Sequence, residues 1–288
     1  MTSAFTTACV QVSASDDMDA NIVQASALVR EARARGADFI LMPENVAMMA
    51  GRAAAIHANA MPEDGHRALA AFRALAAELG AWLLVGSLTV RISGEARVAN
   101  RSLLLDPAGK IVARYDKIHM YDVDVPGGEN HRESKNFRPG TEAVVAPTPW
   151  GQLGMTVCYD LRFAQLYRVL AQAGAIFLTI PSAFTKVTGA AHWHVLMRAR
   201  AIETGSFVLA PAQTGHHPGQ RQTFGHSMIV DPWGHVLAEA GEEPSVITAR
   251  IDPAAVTRAR AAIPALVQDC DFALAVEHEE TVAIRASA

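Results

Sequence analysis

Apolar residues along this chain alternate between short continuous runs and longer stretches with helical spacing. The continuous runs predict buried β-strands at residues 5–12, 38–42, 82–90, 175–180 and 207–210. The 3.6-residue period predicts helices at residues 20–35, 66–79, 163–173 and 190–204. Because strands and helices alternate without a linker, we expect one α/β domain over residues 1–265. The pattern then decays, so residues 266–288 are expected to form a C-terminal tail that packs on a neighbouring region or subunit.

Two predicted hairpins share the turn pattern Asp-Pro-x-Gly. The first turn, at residues 106–109, joins strands 101–105 and 111–115; the second, at residues 231–234, joins strands 227–230 and 236–239. Proline favours the start of a tight turn, and glycine supplies the positive φ that such a turn needs. The repetition is a weak indication that the fold has two similar halves.

The composition and charge of the chain argue against nucleic acids and membranes as binding partners. The 288 residues carry a net charge of −4 with no run of Lys and Arg, which argues against nucleic acid as a ligand. No apolar stretch approaches the ~20 residues that span a bilayer, and the N-terminus is predicted to be a strand rather than a signal peptide. The three cysteines are scattered, so we expect no disulfide framework or zinc cluster and a reducing, cytoplasmic location.

Cys158 lies where a predicted strand turns into a helix, within the sequence Gly151-Gln-Leu-Gly-Met-Thr-Val-Cys-Tyr-Asp-Leu-Arg-Phe163. The end of a strand exposes a side chain, and free N–H groups that open a helix can lower a thiol pKa or bind an oxyanion. A nucleophile is one interpretation. A buried structural cysteine is equally compatible with this pattern.

Glu44 and Lys117 also follow predicted strands, and such strand ends can converge at one edge of a sheet. A thiol, a carboxylate and an ammonium group suit acyl transfer, in which the carboxylate removes the thiol proton and the ammonium stabilises the oxyanion. A solvated loop carboxylate is the alternative for Glu44. Glu133 lies in a long polar loop, residues 120–140, that we interpret as an active-site flap.

Histidine is the usual partner of a catalytic cysteine, so a Cys-His pair competes with this interpretation. Four histidines are candidates, and the sequence favours none of them: His119, His192, His194 and His226. A metal site formed by His192 and His194 is disfavoured, because residues two apart on a helix point to different faces. We therefore expect neither a metal nor a cofactor.

Three blocks resemble the signatures of the nitrilase, or carbon–nitrogen hydrolase, superfamily. They are LMPEN around Glu44, RYDKIHMYDVDVPGG around Lys117 and GMTVCYDLRF around Cys158. The resemblance implies a four-layer αββα sandwich that assembles into homodimers or larger homo-oligomers. It also implies Glu44 as general base, Lys117 as oxyanion-stabilising acid and Cys158 as nucleophile. Glu133 would orient the lysine, and the N–H of Tyr159 would complete the oxyanion site.

Within the superfamily, the blocks most resemble Nit-type amidases that cleave deaminated glutathione into 2-oxoglutarate and cysteinylglycine. That substrate is anionic, so cationic groups should line its pocket. The candidates for substrate binding are Arg162, Lys186, Arg198, Arg221, Thr185 and His192. Each of them could instead form a surface or structural contact.

Two features depart from the pattern of these amidases. Ala164 and Gln165 stand where relatives commonly have Pro-Glu, and the tail lacks their basic ending. The substrate range therefore stays open. An ω-amidase acting on 2-oxo-acid amides such as 2-oxoglutaramate is one alternative, and a nitrilase proper is a less favoured one. A catalytically silent binding subunit is the alternative from another functional class.

Overall fold

The computed structural model describes residues 3–125, 130–276 and 279–284. The first half contains β1 Phe5–Gln11, α1 Met18–Ala34, β2 Phe39–Leu41, α2 Ala53–Asn59, α3 Arg67–Leu79, β3 Trp82–Arg91, β4 Val98–Leu105, β5 Ile111–Asp116, β6 Asp122–Asp124 and β7 Asn130–Arg132. The second half contains β8 Val144–Thr148, β9 Gly151–Met155, α4 Ala164–Gln172, β10 Ala175–Thr179, α5 Lys186–Thr204, β11 Phe207–Ala210, β12 Thr214–His216, β13 Gln222–Phe224, β14 Met228–Val230, β15 Val236–Glu239, β16 Ser245–Ile251, α6 Ala254–Ala262, β17 Phe272–Val276 and β18 Glu279–Ile284.

Two six-stranded sheets form the centre of the molecule. Their strand orders are β16-β1-β2-β3-β4-β5 and β15-β14-β11-β10-β9-β8. Apolar side chains of both sheets, such as Phe39, Leu84, Phe177 and Leu209, share one buried core. A second core joins the outer face of the first sheet to α1 and α3, while α4 and α5 pack against the second sheet. This is the expected αββα arrangement.

The two sheets repeat one topology, as the paired Asp-Pro-x-Gly turns indicate. In each sheet three parallel strands, β1-β2-β3 or β9-β10-β11, continue into an antiparallel hairpin, β4-β5 or β14-β15. The Asp106 carboxylate accepts from the N–H groups of Ala108 and Lys110. Asp231 closes the other turn in the same way.

Three local features differ from the sequence-based expectations. Helix α5 begins at Lys186, four residues before the predicted start. The residues after Cys158 form a 3-10 turn, Cys158–Arg162, before α4 begins. The tail contains the β17-β18 hairpin, although its division from the domain at residue 265 stays a prediction. Residues 126–129 of the predicted flap lie outside the described residues. Among the described helices, none combines the length and apolarity needed to cross a membrane.

Candidate active site

Glu44 and Lys117 meet in the interior, as predicted from their positions after strands. Glu44 follows β2, Lys117 follows β5, and the Lys117 Nζ lies 3.0 Å from the Glu44 Oε1. Both residues are only 2% exposed. A buried charge is tolerated only when it is paired, so this contact fixes both side chains.

A second carboxylate, Glu133, binds the same ammonium group. The Lys117 Nζ lies 3.1 Å from Glu133 Oε1 and 2.8 Å from Oε2. The Tyr121 N–H donates to Glu133 Oε2 at 2.6 Å, which anchors the flap residue. Burial alone would lower the pKa of Lys117, but the charges of Glu133 and Glu44 outweigh it and raise that pKa well above its usual value. Lys117 is therefore a cation at neutral pH.

Three donors hold the Glu44 carboxylate in place. Besides Lys117, the Asn100 Nδ2 donates to Oε1 at 2.8 Å and the Ala183 N–H donates to Oε2 at 2.9 Å. Burial raises the pKa of Glu44, yet the Lys117 charge and the neighbouring Cys158 and Arg221 bring its pKa below the ordinary value. Glu44 is thus ionised at neutral pH and ready to accept a proton.

Cys158 lies beside this pair with its backbone in the left-handed region, at φ 50°. Its N–H donates to the Pro181 carbonyl at 3.0 Å. Burial, followed by the Glu44 carboxylate, raises the pKa of the thiol. This direction is opposite to the lowering of a thiol pKa that N–H groups at the start of a helix can produce. The thiol therefore lies next to a carboxylate that can accept its proton.

Asp160, which sequence reasoning did not single out, joins the Lys117 and Cys158 segments. Its fully buried carboxylate accepts from the Tyr115 hydroxyl at 2.6 Å, from the Val157 N–H at 2.9 Å and from the His119 N–H at 3.0 Å. The burial and the Asp160 charge raise the pKa of Tyr115, so it stays a neutral donor. This network connects the backbone at His119, just after Lys117, with the backbone at Val157, just before Cys158.

A cleft of about 760 Å³, including the space open to solvent at its mouth, contains these groups. Small-molecule sites are typically clefts lined by apolar side chains with a few polar groups. Its walls combine apolar side chains, including Met48, Met49 and Phe184, with polar ones, including His131 and Arg221. The cleft can therefore hold a small organic substrate against Cys158.

The family profile of the carbon-nitrogen hydrolases matches residues 6–261. The chain belongs to the carbon-nitrogen hydrolase family. It is 39% identical over 262 residues to a deaminated glutathione amidase of Yersinia enterocolitica, covering 90% of this chain and 91% of the relative. This membership confirms the resemblance drawn from the three sequence blocks.

Solved structures agree with this assignment. The Caenorhabditis elegans NitFhit protein superposes with a TM-score of 0.86 and 34% identity, covering 93% of this chain and 65% of that chain. An amidase from Nesterenkonia sp. AN1, whose active-site cysteine has added acrylamide, gives a TM-score of 0.75 at 26% identity over 90% of this chain and 98% of its own. Both comparisons support the αββα fold.

The substrate-binding residues expected for this carbon-nitrogen hydrolase divide into two groups. Tyr159 and Thr185 line the cleft. Arg162 lies behind it, with its guanidinium group 5.7 Å from the centre of the Tyr159 ring and 3.3 Å from the His192 Nδ1. Lys186 is exposed and pairs with Glu242 at 3.3 Å. Substrate contacts by Arg162, Lys186 and His192 stay predictions.

Of the two other candidate cations, Arg221 lines the cleft and Arg198 does not. Arg221 donates from Nη2 to the Ala183 carbonyl at 2.9 Å. The Arg198 Nε donates to the Gly234 carbonyl at 2.8 Å, in the second Asp-Pro-x-Gly turn. Of the cations proposed for substrate binding, Arg221 is therefore the one that lines the cleft, where Lys117 also lies.

The histidines considered as bases contact other groups. The His119 Nδ1 lies 2.7 Å from Asp160, and His194 and His226 both contact Glu239. Sequence reasoning missed His131, which lines the cleft, and Asn100. A detectable signal for Asn100 was the interruption of an otherwise apolar strand, β4, by consecutive polar residues.

Proposed function

We propose that this protein is a cysteine-dependent amidase that hydrolyses deaminated glutathione to 2-oxoglutarate and cysteinylglycine. The observation that carries the proposal is the Lys117 ammonium held between two carboxylates beside the Cys158 thiol. The name of the Yersinia relative supports the choice of substrate. We also propose a cytoplasmic location, from the scattered cysteines, and a homo-oligomeric state, from the family resemblance.

Acylation begins when Glu44 takes the proton of the Cys158 thiol as sulfur attacks the amide carbonyl carbon. A C–S bond forms, and the carbonyl electron pair moves to oxygen. Lys117 and the N–H of Tyr159 stabilise this oxyanion; such donors are typically worth a factor of about 100 or more in rate. When the C–N bond breaks, protonated Glu44 returns its proton to the leaving amine.

Deacylation uses the same carboxylate. Glu44 removes a proton from water, which attacks the thioester carbonyl, and the C–S bond breaks. Glu44 then returns that proton to sulfur, so the thiol is regenerated and no cofactor is consumed. Glu133 touches Lys117 rather than the reacting atoms, which makes it a positioning residue in this mechanism.

Rates on deaminated glutathione and 2-oxoglutaramate, measured side by side, test the proposal. We expect a higher kcat/KM on deaminated glutathione. Cys158→Ala should abolish turnover on both substrates while the protein stays folded, because Cys158 supplies the sulfur of the thioester. Cys270→Ala is the matched control, since Cys270 is an exposed free cysteine; it should retain full activity.

The two substrates also distinguish the alternatives. Preference for 2-oxoglutaramate would identify an ω-amidase with the same chemistry. Inactivity on both substrates, with Cys158 still alkylated rapidly by iodoacetamide, would refute the substrate assignment alone. Retained activity in Cys158→Ala would refute the nucleophile.

Arg221 offers a test of how the cleft binds an anionic acyl group. Because its charge lies near Glu44, we propose that it binds the carboxylate of the 2-oxo acid. Charged hydrogen bonds contribute about 1.5–3 kcal/mol, so Arg221→Met should lower kcat/KM for deaminated glutathione about 10- to 100-fold. An uncharged amide such as butyramide should be affected much less.

Arg221→Lys should restore part of the lost activity on the charged substrate. Arg198→Met, which removes a cation outside the cleft, is the control and should leave both rates unchanged. An equal loss on charged and uncharged amides in Arg221→Met would contradict carboxylate binding.

A further inference from the structure

Three potential metal ligands converge away from the cleft, from three separate segments of the chain. They are His194 on α5, His226 before β14, and Glu239 at the end of β15. The His194 Nε2 and the His226 Nδ1 each lie 2.8 Å from the same oxygen, Glu239 Oε1. The three ligand atoms all lie within 4.8 Å of one another. None of these residues lines the active-site cleft.

The surrounding structure holds the two imidazole rings in place. His226 has φ 57°, an uncommon backbone conformation for a non-glycine residue. Its ring stacks on Phe224 with centroids 4.3 Å apart, and the His194 ring contacts Phe224 edge-on at 5.9 Å. The Trp193 Nε1 donates to the His226 carbonyl at 2.8 Å, which ties α5 to the other ligand segment. The cluster is thus preorganised.

We propose that His194, His226 and Glu239 form a Zn²⁺ site. Two imidazoles and one carboxylate are a recognised set of three protein ligands for zinc, with water in the fourth position. Zinc lies about 2.0–2.2 Å from such ligands, so small side-chain rotations bring these atoms to one ion. In binding, each neutral imidazole carries its proton on the other ring nitrogen, and Glu239 contributes one negative charge.

Charge and access are consistent with this site. The side chains of His194, His226 and Glu239 are 41%, 23% and 33% exposed, so an ion can enter from solvent. Glu239 supplies one carboxylate oxygen that both imidazole rings already contact. On the same hairpin, the His235 ring contacts the Asp231 carboxylate, which makes a pair of potential ligands rather than a cluster of three.

A bound ion would link α5 to the β14-β15 hairpin. The N-terminus of α5 contributes Thr188 to the cleft wall, so the site lies on an element shared with the active site. Binding to the folded state alone stabilises a protein in proportion to the logarithm of ligand concentration over Kd. We therefore expect Zn²⁺ to raise the thermal unfolding temperature.

Calorimetric titration of the untagged, chelator-treated protein with Zn²⁺ tests the site, with Co²⁺ absorption as a spectroscopic probe. We expect one equivalent to bind and the unfolding temperature to rise. His194→Ala and Glu239→Gln should weaken binding at least about tenfold. His235→Ala is the matched control and should bind as the wild-type protein does.

Unfolding temperatures measured without metal show whether each variant is folded. Glu239→Gln keeps an oxygen that can accept hydrogen bonds from the histidines, so it still tests metal binding if His194→Ala unfolds. Cys158→Ala separates this site from the catalytic thiol. The proposal is overturned if no equivalent binds, if binding persists in both ligand variants, or if it disappears only in Cys158→Ala.

Discussion

Asn100 influences both carboxylates of the candidate active site through a single amide group. Its Nδ2 lies 2.8 Å from Glu44 Oε1 and 3.3 Å from Glu133 Oε1, and its backbone carbonyl accepts from the backbone N–H of Lys117 at 3.0 Å. A neutral donor at this position favours the ionised form of Glu44. Asn100 therefore helps to keep the base deprotonated without adding a charge.

Replacing Asn100 by Asp should change the pH dependence of the reaction. A third carboxylate in this cluster, next to Glu44 and Glu133, destabilises the Glu44 anion and raises its pKa from its present lowered value. Because the enzyme needs ionised Glu44, activity should be lost at a higher pH on acidification. We expect the acidic limb of the kcat/KM profile to move upward by at least about one pH unit.

The control for this variant is Asn59→Asp, since the Asn59 side chain bonds within α2. Its pH profile should match that of the wild-type protein. An unshifted acidic limb in a folded Asn100→Asp protein would show that Glu44 does not limit the rate at low pH.

At the scale of elements, the close approach of β3 to the chain that follows β2 positions Glu44. A Cβ at Gly86 would lie 1.9 Å from the Met42 carbonyl oxygen and 2.4 Å from that of Pro43. Both contacts are with backbone, which cannot rotate away. The Ser87 hydroxyl also accepts from the Asn45 N–H at 2.9 Å. The strand pair therefore determines where Glu44 lies.

Gly86→Ala should destabilise the protein and impair catalysis together. Overpacking typically costs about 1–3 kcal/mol in the free energy of unfolding, and backbone neighbours place this change at the upper end. Urea unfolding and kcat/KM measure the two effects. Gly241→Ala is the control, because its Cβ would meet no atom within 4 Å; it should change neither. A stable Gly86→Ala protein with full activity would contradict the packing argument.

At the scale of the whole molecule, the active site needs both halves of the repeated topology. Glu44 and Lys117 come from the first sheet, whereas Cys158 and the segment at Ala183 come from the second. The shared core fixes the two sheets against each other. The catalytic groups are therefore held by the packing of the halves rather than by one loop.

The expected homo-oligomer can be tested by substitution on α5, which exposes the apolar residues Val187, Val195 and Ile202. Apolar residues grouped on one exposed face are typical of an interface. We expect light scattering to give at least a dimer, and Val195→Asp to weaken it. Val23→Asp on α1 is matched in exposure, at 70% against 69%, and should leave assembly unchanged. A monomeric wild-type protein would refute the expectation.

The sequence predicted the regular elements well where the apolar period was long, as in α1, α3 and the central strands. The start of α5 was missed because Lys186-Val-Thr-Gly189 combines β-branched residues with glycine, which weaken a helical pattern. The structure explains the glycine: a Cβ there would lie 2.3 Å from the Cβ of Phe224. Helix α2 was missed because it is short and has no side-chain cap.

The sequence by itself determined the fold class, the family and the candidates Glu44, Lys117, Glu133 and Cys158, because strand periodicity and local motifs are written along the chain. Only the tertiary structure decided the protonation of Cys158, the roles of Asn100 and Asp160, and the meeting of His194 with Glu239. These depend on burial and on contacts between residues far apart in sequence. A local sequence pattern does not specify the distance between two such side chains or how far each is buried from water.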